Sequence, residues 1–114
     1  MNIWAISCDP STIHLLNVAC KEAKHELCVF QSVSEAEQNK PALIFIESAG
    51  MEASLASHIS ELHRKHPQSM IALVTGDTIG AQNISQLASL GVGAYISKPP
   101  TLSDLAGIIR KAQG

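Results

Sequence analysis

Five short apolar runs punctuate the chain, and the stretches between them carry apolar residues at helical spacing. Asn2 to Ser7 (NIWAIS), Leu27 to Gln31 (LCVFQ), Ala42 to Glu47 (ALIFIE), Met70 to Thr75 (MIALVT) and Ala94 to Ser97 (AYIS) are rich in β-branched and other apolar side chains, which predicts strands. Three of these runs are almost continuously apolar. A strand with apolar side chains on both sides of its pleat needs cover on both faces, the situation of a parallel strand inside a layered sheet.

The intervening segments predict helices. DPSTIHLLNVACKEAKH opens with Asp9 as a cap and Pro10 in the first turn, then sets Ile13, Leu16, Val18 and Cys20 over successive turns. SEAEQNK has room for a short helix only. MEASLASHISELHRKH places Leu55, Ile59 and Leu62 on one stripe before Pro67 stops it. GAQNISQLASLG spaces Ile84, Leu87 and Leu90 ahead of Gly91, a natural carboxy-terminal cap, and TLSDLAGIIRKAQG closes the chain with Leu102, Leu105, Ile108 and Ile109. This βα alternation, five times over, predicts an α/β fold, a three-layer sandwich around a parallel sheet; it resembles the flavodoxin-like doubly wound kind, and that resemblance implies the strand order 2-1-3-4-5. In such sheets function collects at the carboxyl ends of the strands.

Composition narrows the picture. A chain of 114 residues, 46% hydrophobic and 16% charged, is enough for one domain spanning 1–114 with a sizeable core, and Gly114 is open to being a boundary within a longer protein. The net charge is -2 and the eight lysines and arginines are scattered along the sequence, so no nucleic-acid or membrane partner is expected. Aromatic residues make up only 4%, too few for base-stacking platforms. Cys8, Cys20 and Cys28 are odd in number and lack CxxC spacing, and there is neither a leader-like amino terminus nor a membrane-length apolar run. A reducing cytoplasm is the expected location.

At the predicted strand ends stand Ser7-Cys8-Asp9, Glu47-Ser48, Thr75-Gly76 and Ser97-Lys98-Pro99. Here the whole chain resembles the response-regulator receiver domain of two-component signalling, the CheY-like fold. GVGAYISKPP is similar to the family's fifth-strand signature, with an aromatic at Tyr95, the lysine at Lys98 and the following Pro99. ALVTG matches a fourth strand ending in the switch hydroxyl, Thr75, while NIWAISCDPS and PALIFIES fill the first and third strand positions. The resemblance implies a cis bond before Pro99 and a switch pair, Thr75 with Tyr95. It also implies an output face made by the last two helices and the last strand, with Ile84, Leu87, Tyr95, Leu102 and Leu105 nearby. Such a face serves protein partners, a covalently linked effector domain or a homodimer. Read without the family, Thr75 is an ordinary strand residue and Tyr95 a half-buried aromatic.

The chemistry departs from that family. Glu47 occupies the phosphoacceptor position, and Ser7 and Cys8 replace the acidic pair that holds magnesium. Magnesium favours hard oxygen ligands including carboxylates, which a serine and a thiol replace poorly. Asp9, next to Pro10, is expected to cap the helix rather than hold a metal. Glu47 reaches one methylene further than aspartate, and in-line phosphoryl transfer depends on positioning to about an ångström. The expectation is a degenerate pseudo-receiver, not an enzyme and without cofactor or metal, that acts by phosphorylation-independent protein contacts. Glu47 then either partly mimics a phosphoryl group, with one charge against nearly two, or forms a structural ion pair with Lys98.

Other candidates are weaker. His58, His63 and His66 lack metal-ligand spacing and suit a solvated face, and His14 and His25 are isolated in sequence. Ser7, Cys8 and Ser48 have no histidine after any strand to act as a base, although a helix amino terminus beside Cys8 suggests a lowered thiol pKa. No glycine-rich phosphate loop follows a strand. Two alternatives stand: a phosphoacceptor domain using Asp77 or Ser48, and a small-ligand site in the switch-point crevice.

Overall fold

The computed structural model describes residues 1–32, 40–47, 55–76 and 81–113, with backbone only for 81–84. Their order is β1 (Asn2–Ile6), α1 (Pro10–Glu22), β2 (Glu26–Phe30), β3 (Leu43–Glu47), α2 (Leu55–Lys65), β4 (Met70–Thr75), α3 (Ala81–Ser89), β5 (Val92–Ser97) and α4 (Leu102–Gln113). All neighbouring strands pair in parallel, in the order β2-β1-β3-β4-β5. This is the doubly wound arrangement expected, with the parallel sheet read from the apolar pattern and the strand order from the resemblance. The short helix expected in SEAEQNK lies outside the described residues, as do Ser48 and Asp77.

The apolar runs read as they do because the pleat sends successive side chains to opposite faces and both faces are covered. Ile3, Ala5, Leu43, Phe45, Ala72 and Val74 pack with Leu16, Ala19 and Cys20 of α1 and Leu105 and Ile109 of α4. Trp4, Ile6, Ile44, Ile46, Ile71 and Leu73 form the opposite layer with Ile59 and Leu62 of α2. The outer strand β2 is only partly buried.

Among the boundaries that differ from the sequence expectation, two do so for identifiable reasons. Strand β5 begins at Val92 rather than Ala94, because the pairing steps from Ile71↔Val92 to Ala72↔Ala94 and leaves Gly93 as the extra residue of a bulge. Helix α1 ends at Glu22 rather than His25: Lys24 takes a left-handed conformation (φ 59°), and the His25 N–H donates back to the Cys20 carbonyl at 2.8 Å. Its buried face is Thr12, Leu16, Ala19 and Cys20, with Ile13 and Val18 half-buried.

Helix α4 starts from a reciprocal cap. The Asp104 N–H donates to Thr101 Oγ1 (3.1 Å), and the Thr101 N–H donates to Asp104 Oδ2 (3.3 Å). The helix therefore begins at Leu102, four residues after Lys98, whose peptide bond to Pro99 is cis.

Candidate functional site

The carboxyl ends of β1, β3 and β5 bring Asp9, Glu47 and Lys98 into one cluster. Lys98 Nζ lies 2.9 Å from Glu47 Oε2 and 2.5 Å from Asp9 Oδ2, partners 51 and 89 residues away in sequence. Its main chain is held as well, since the Lys98 N–H donates to the Thr75 carbonyl at 2.8 Å. One ammonium thus serves two carboxylates.

The carboxylates differ in setting. Glu47 is 2% exposed, and its other oxygen, Oε1, accepts from the Thr12 hydroxyl (3.2 Å) and the Asp9 N–H (3.4 Å). Asp9 is about one-third exposed and divides its oxygens: Oδ2 meets Lys98, while Oδ1 accepts from the Thr12 N–H and the Ser11 hydroxyl, both at 2.9 Å. Capping α1, as the sequence suggested, leaves an oxygen of Asp9 free for the lysine. The hydrogen bond from Lys98, followed by that from the Thr12 N–H, holds the Asp9 carboxyl well below the usual carboxylate range. In return, the bonds to Asp9 and then Glu47 raise the Lys98 ammonium above its ordinary value.

Thr12 is the member that sequence reading missed. It is wholly buried and donates from its hydroxyl to Glu47. Its signal was its place three residues after the cap, on the face that carries Leu16 and Ala19.

Cys8 contradicts the expectation of a lowered pKa. Burial first, then the negative charges of Glu47 and Asp9, push its thiol up to about 12, and its Sγ–H points to the Ile6 carbonyl at 3.7 Å. Proximity to a helix amino terminus is outweighed by desolvation. Ser7 has a left-handed backbone (φ 57°) and donates its hydroxyl to the Gln31 carbonyl (2.8 Å) beyond β2. All three cysteines are free thiols.

The donor set fits magnesium poorly. Ser7 and Cys8 offer a hydroxyl and a protonated thiol, and the two carboxylates of the cluster already share an ammonium. Among the described residues, no group of three or more histidines, cysteines or acids is arranged to hold a metal ion.

Thr75 is buried at the end of β4, and Tyr95 of β5 is half-buried against the Trp4 layer. Tyr95, Asp104 and Lys111 line a cleft of about 540 Å³ between β5 and α4. Burial raises the Tyr95 hydroxyl above its ordinary pKa. Pro99 is exposed. Of the residues named for the output face, Leu105 is fully buried, Leu87 and Leu102 are half-buried, and the side chain of Ile84 lies outside the described residues.

The histidines of α2 do not share one solvated face. His63 is exposed, but His58 is half-buried with a buried Nδ1 that has no hydrogen-bond partner among the described residues. His66, just past the helix, meets the Trp4 ring edge-on at 5.0 Å, and burial lowers its pKa. His14 is exposed, whereas His25 joins the amino-terminal nitrogen (3.1 Å) to Gln113 (2.8 Å).

No family model and no curated protein matches this sequence. Solved structures match it closely in shape. A two-component response regulator from Clostridium difficile superposes with a TM-score of 0.85 at 20% identity, over 99% of this chain and 95% of that one. A chain described as a pilus assembly protein, CpaE, from Burkholderia thailandensis gives a TM-score of 0.82 at 18% identity, over 99% and 98% of the two chains. NtrX from Brucella abortus gives 0.79 at 16% identity over 97% of this chain, which spans 25% of that larger one. The fold is that of CheY-like receiver domains, a fold found both as separate chains and as part of longer ones.

Proposed function

We propose that this domain is a pseudo-receiver: a receiver fold that works through protein contacts, without phosphoryl transfer. The observation that carries the reading is the cluster of Lys98 with Glu47 and Asp9. In-line transfer to a carboxylate needs an accessible oxygen and a cation to neutralise the incoming phosphoryl group. Here one oxygen of Glu47 faces Lys98, the other accepts from Thr12 and Asp9, and the side chain is 2% exposed. The residues in the acidic-pair positions, Ser7 and Cys8, supply no carboxylate.

In this reading Glu47 supplies a permanent negative charge at the end of β3, and Lys98 answers it. The contact surface is the face of α3, β5 and α4, whose cleft beside Tyr95 carries both an acid, Asp104, and a base, Lys111. Partners are another protein, a linked effector domain or a second copy.

Amide NMR titrated with magnesium and then beryllofluoride, a phosphoryl mimic, tests the reading. The expected result is a spectrum unchanged at Glu47, Thr75 and Lys98. Saturable shifts at those residues that need both additives would overturn it. Incubation with radiolabelled acetyl phosphate covers acceptors elsewhere, and stable labelling of Asp77 or Ser48 would replace this reading with that of a phosphoacceptor domain.

A further inference from the structure

The net charge of -2 conceals a strong separation of charge. All but Lys98 of the eight lysines and arginines lie at the edge of the sheet where the strands begin, the end opposite the Glu47 cluster. Lys21 closes α1, and Lys24 stands in the turn into β2. Arg64 and Lys65 close α2, and Lys65 shares a cleft of about 280 Å³ with Lys40 and His66. Arg110 and Lys111 close α4, whose Gln113 reaches His25 at the start of β2. All seven side chains are exposed, and among the described residues only Lys65 has an ion-pair partner, Glu61 at 3.2 Å.

Complementing the negative carboxyl ends of helices explains part of this pattern. It does not explain Lys40, which lies outside the described helices, or the number of cations left, among the described residues, without a counter-charge. We propose that this edge is a docking surface for an acidic polypeptide segment, adjoining the output face at Lys111 and independent of the state of the Glu47 pocket.

The detail favours a polypeptide over a lipid surface or a nucleic acid. Glu22, Glu26 and Glu61 are set among the cations, and a continuous array of phosphates would press like charge against them. A polypeptide can place carboxylates opposite the cations and amides or bases opposite the glutamates. Val29 of β2 is the one exposed large hydrophobic among the described residues, and Trp4 is fully buried, so the edge has neither an apolar wedge for a bilayer nor a stacking platform for bases.

The test is fluorescence anisotropy with a labelled peptide of alternating glutamate and serine, using the whole chain and two charge-reversed variants. One carries Lys40→Glu with Arg64→Glu, the other Lys21→Glu with Arg110→Glu. Thermal melts check that each is folded, and because they alter different helices, one misfolded variant leaves the other to decide. The expected result is saturable binding, weakened at least about tenfold by either pair. Binding should also fall as salt rises from about 0.1 M to about 1 M and the screening length shrinks from roughly 10 to 3 Å. Absence of binding, or binding unchanged in the folded variants, overturns the proposal. So does tighter binding, at equal salt, to phosphatidylserine vesicles or duplex DNA, which would assign the edge to a polyanion instead.

Discussion

Lys98 joins two carboxylates that differ in exposure, and the two sides of that tie differ in how much they stabilise the fold. Removing Glu47 leaves the ammonium with Asp9 alone and the Thr12 hydroxyl without its acceptor. Because Glu47 is almost fully buried, Glu47→Ala should lower stability by about 3 kcal/mol, read as a fall in the urea midpoint. Thr12→Val keeps the shape and removes one hydrogen bond to a charged group, a loss of about 1.5 kcal/mol in the same measurement. The pH dependence follows from the direction of each shift. Asp9, held below its unfolded value, contributes stability that is present above about pH 4 and lost as the pH falls through its folded value. Lys98, held above its unfolded value, contributes stability that is present below about pH 10 and lost as the pH rises through its folded value. Asp9→Asn should therefore flatten the acid-side decline in urea midpoints measured from about pH 6 down to about pH 2.

At the scale of elements, strand and helix ends decide how accurately the cluster is placed. Thr101→Ala removes half of the reciprocal cap on α4, next to the Lys98 turn, and should cost about 1 kcal/mol. Gly91, after α3, has φ 120°, and a Cβ there would stand 2.6 Å from His63 Cγ. Gly91→Ala should consequently destabilise by about 2 kcal/mol, and adding His63→Ala should recover only the part due to the clash, since the backbone angle remains unfavourable. Both are measured by thermal melts. The five strands were legible because burial on both faces writes an unbroken apolar run, and Asp9-Pro10 announced the start of α1 through capping chemistry. Gly93 was not legible as a bulge, because a glycine between Val92 and Ala94 looks the same as a strand that has yet to begin. Glu47 and Lys98 could be paired only through the resemblance to a known strand-end signature. Thr12 escaped because burial of a threonine depends on which residue faces it across 35 positions of sequence.

Across the whole molecule, what the sequence concealed is where charge resides. Lysines and arginines spaced irregularly along the chain gather at one edge because parallel strands all begin there and the described helices between them all end there. Sequence order alone cannot show this; it follows once the described helices are known to run against the strands. The two ends then differ in chemistry. One carries exposed cations in excess, and the other binds its single lysine to two carboxylates. No helix among the described residues is long and apolar enough to cross a membrane.

A cation that belongs to the chain cannot be withdrawn from it. Lys98 is tethered beside Glu47, so the occupancy of that position does not depend on the composition of the surrounding solution. On the proposed reading, a chelator would find nothing to remove beside Glu47. Melting temperatures taken in excess EDTA and in excess magnesium should coincide. An upward shift with magnesium would mean that the lysine yields its place to a competitor.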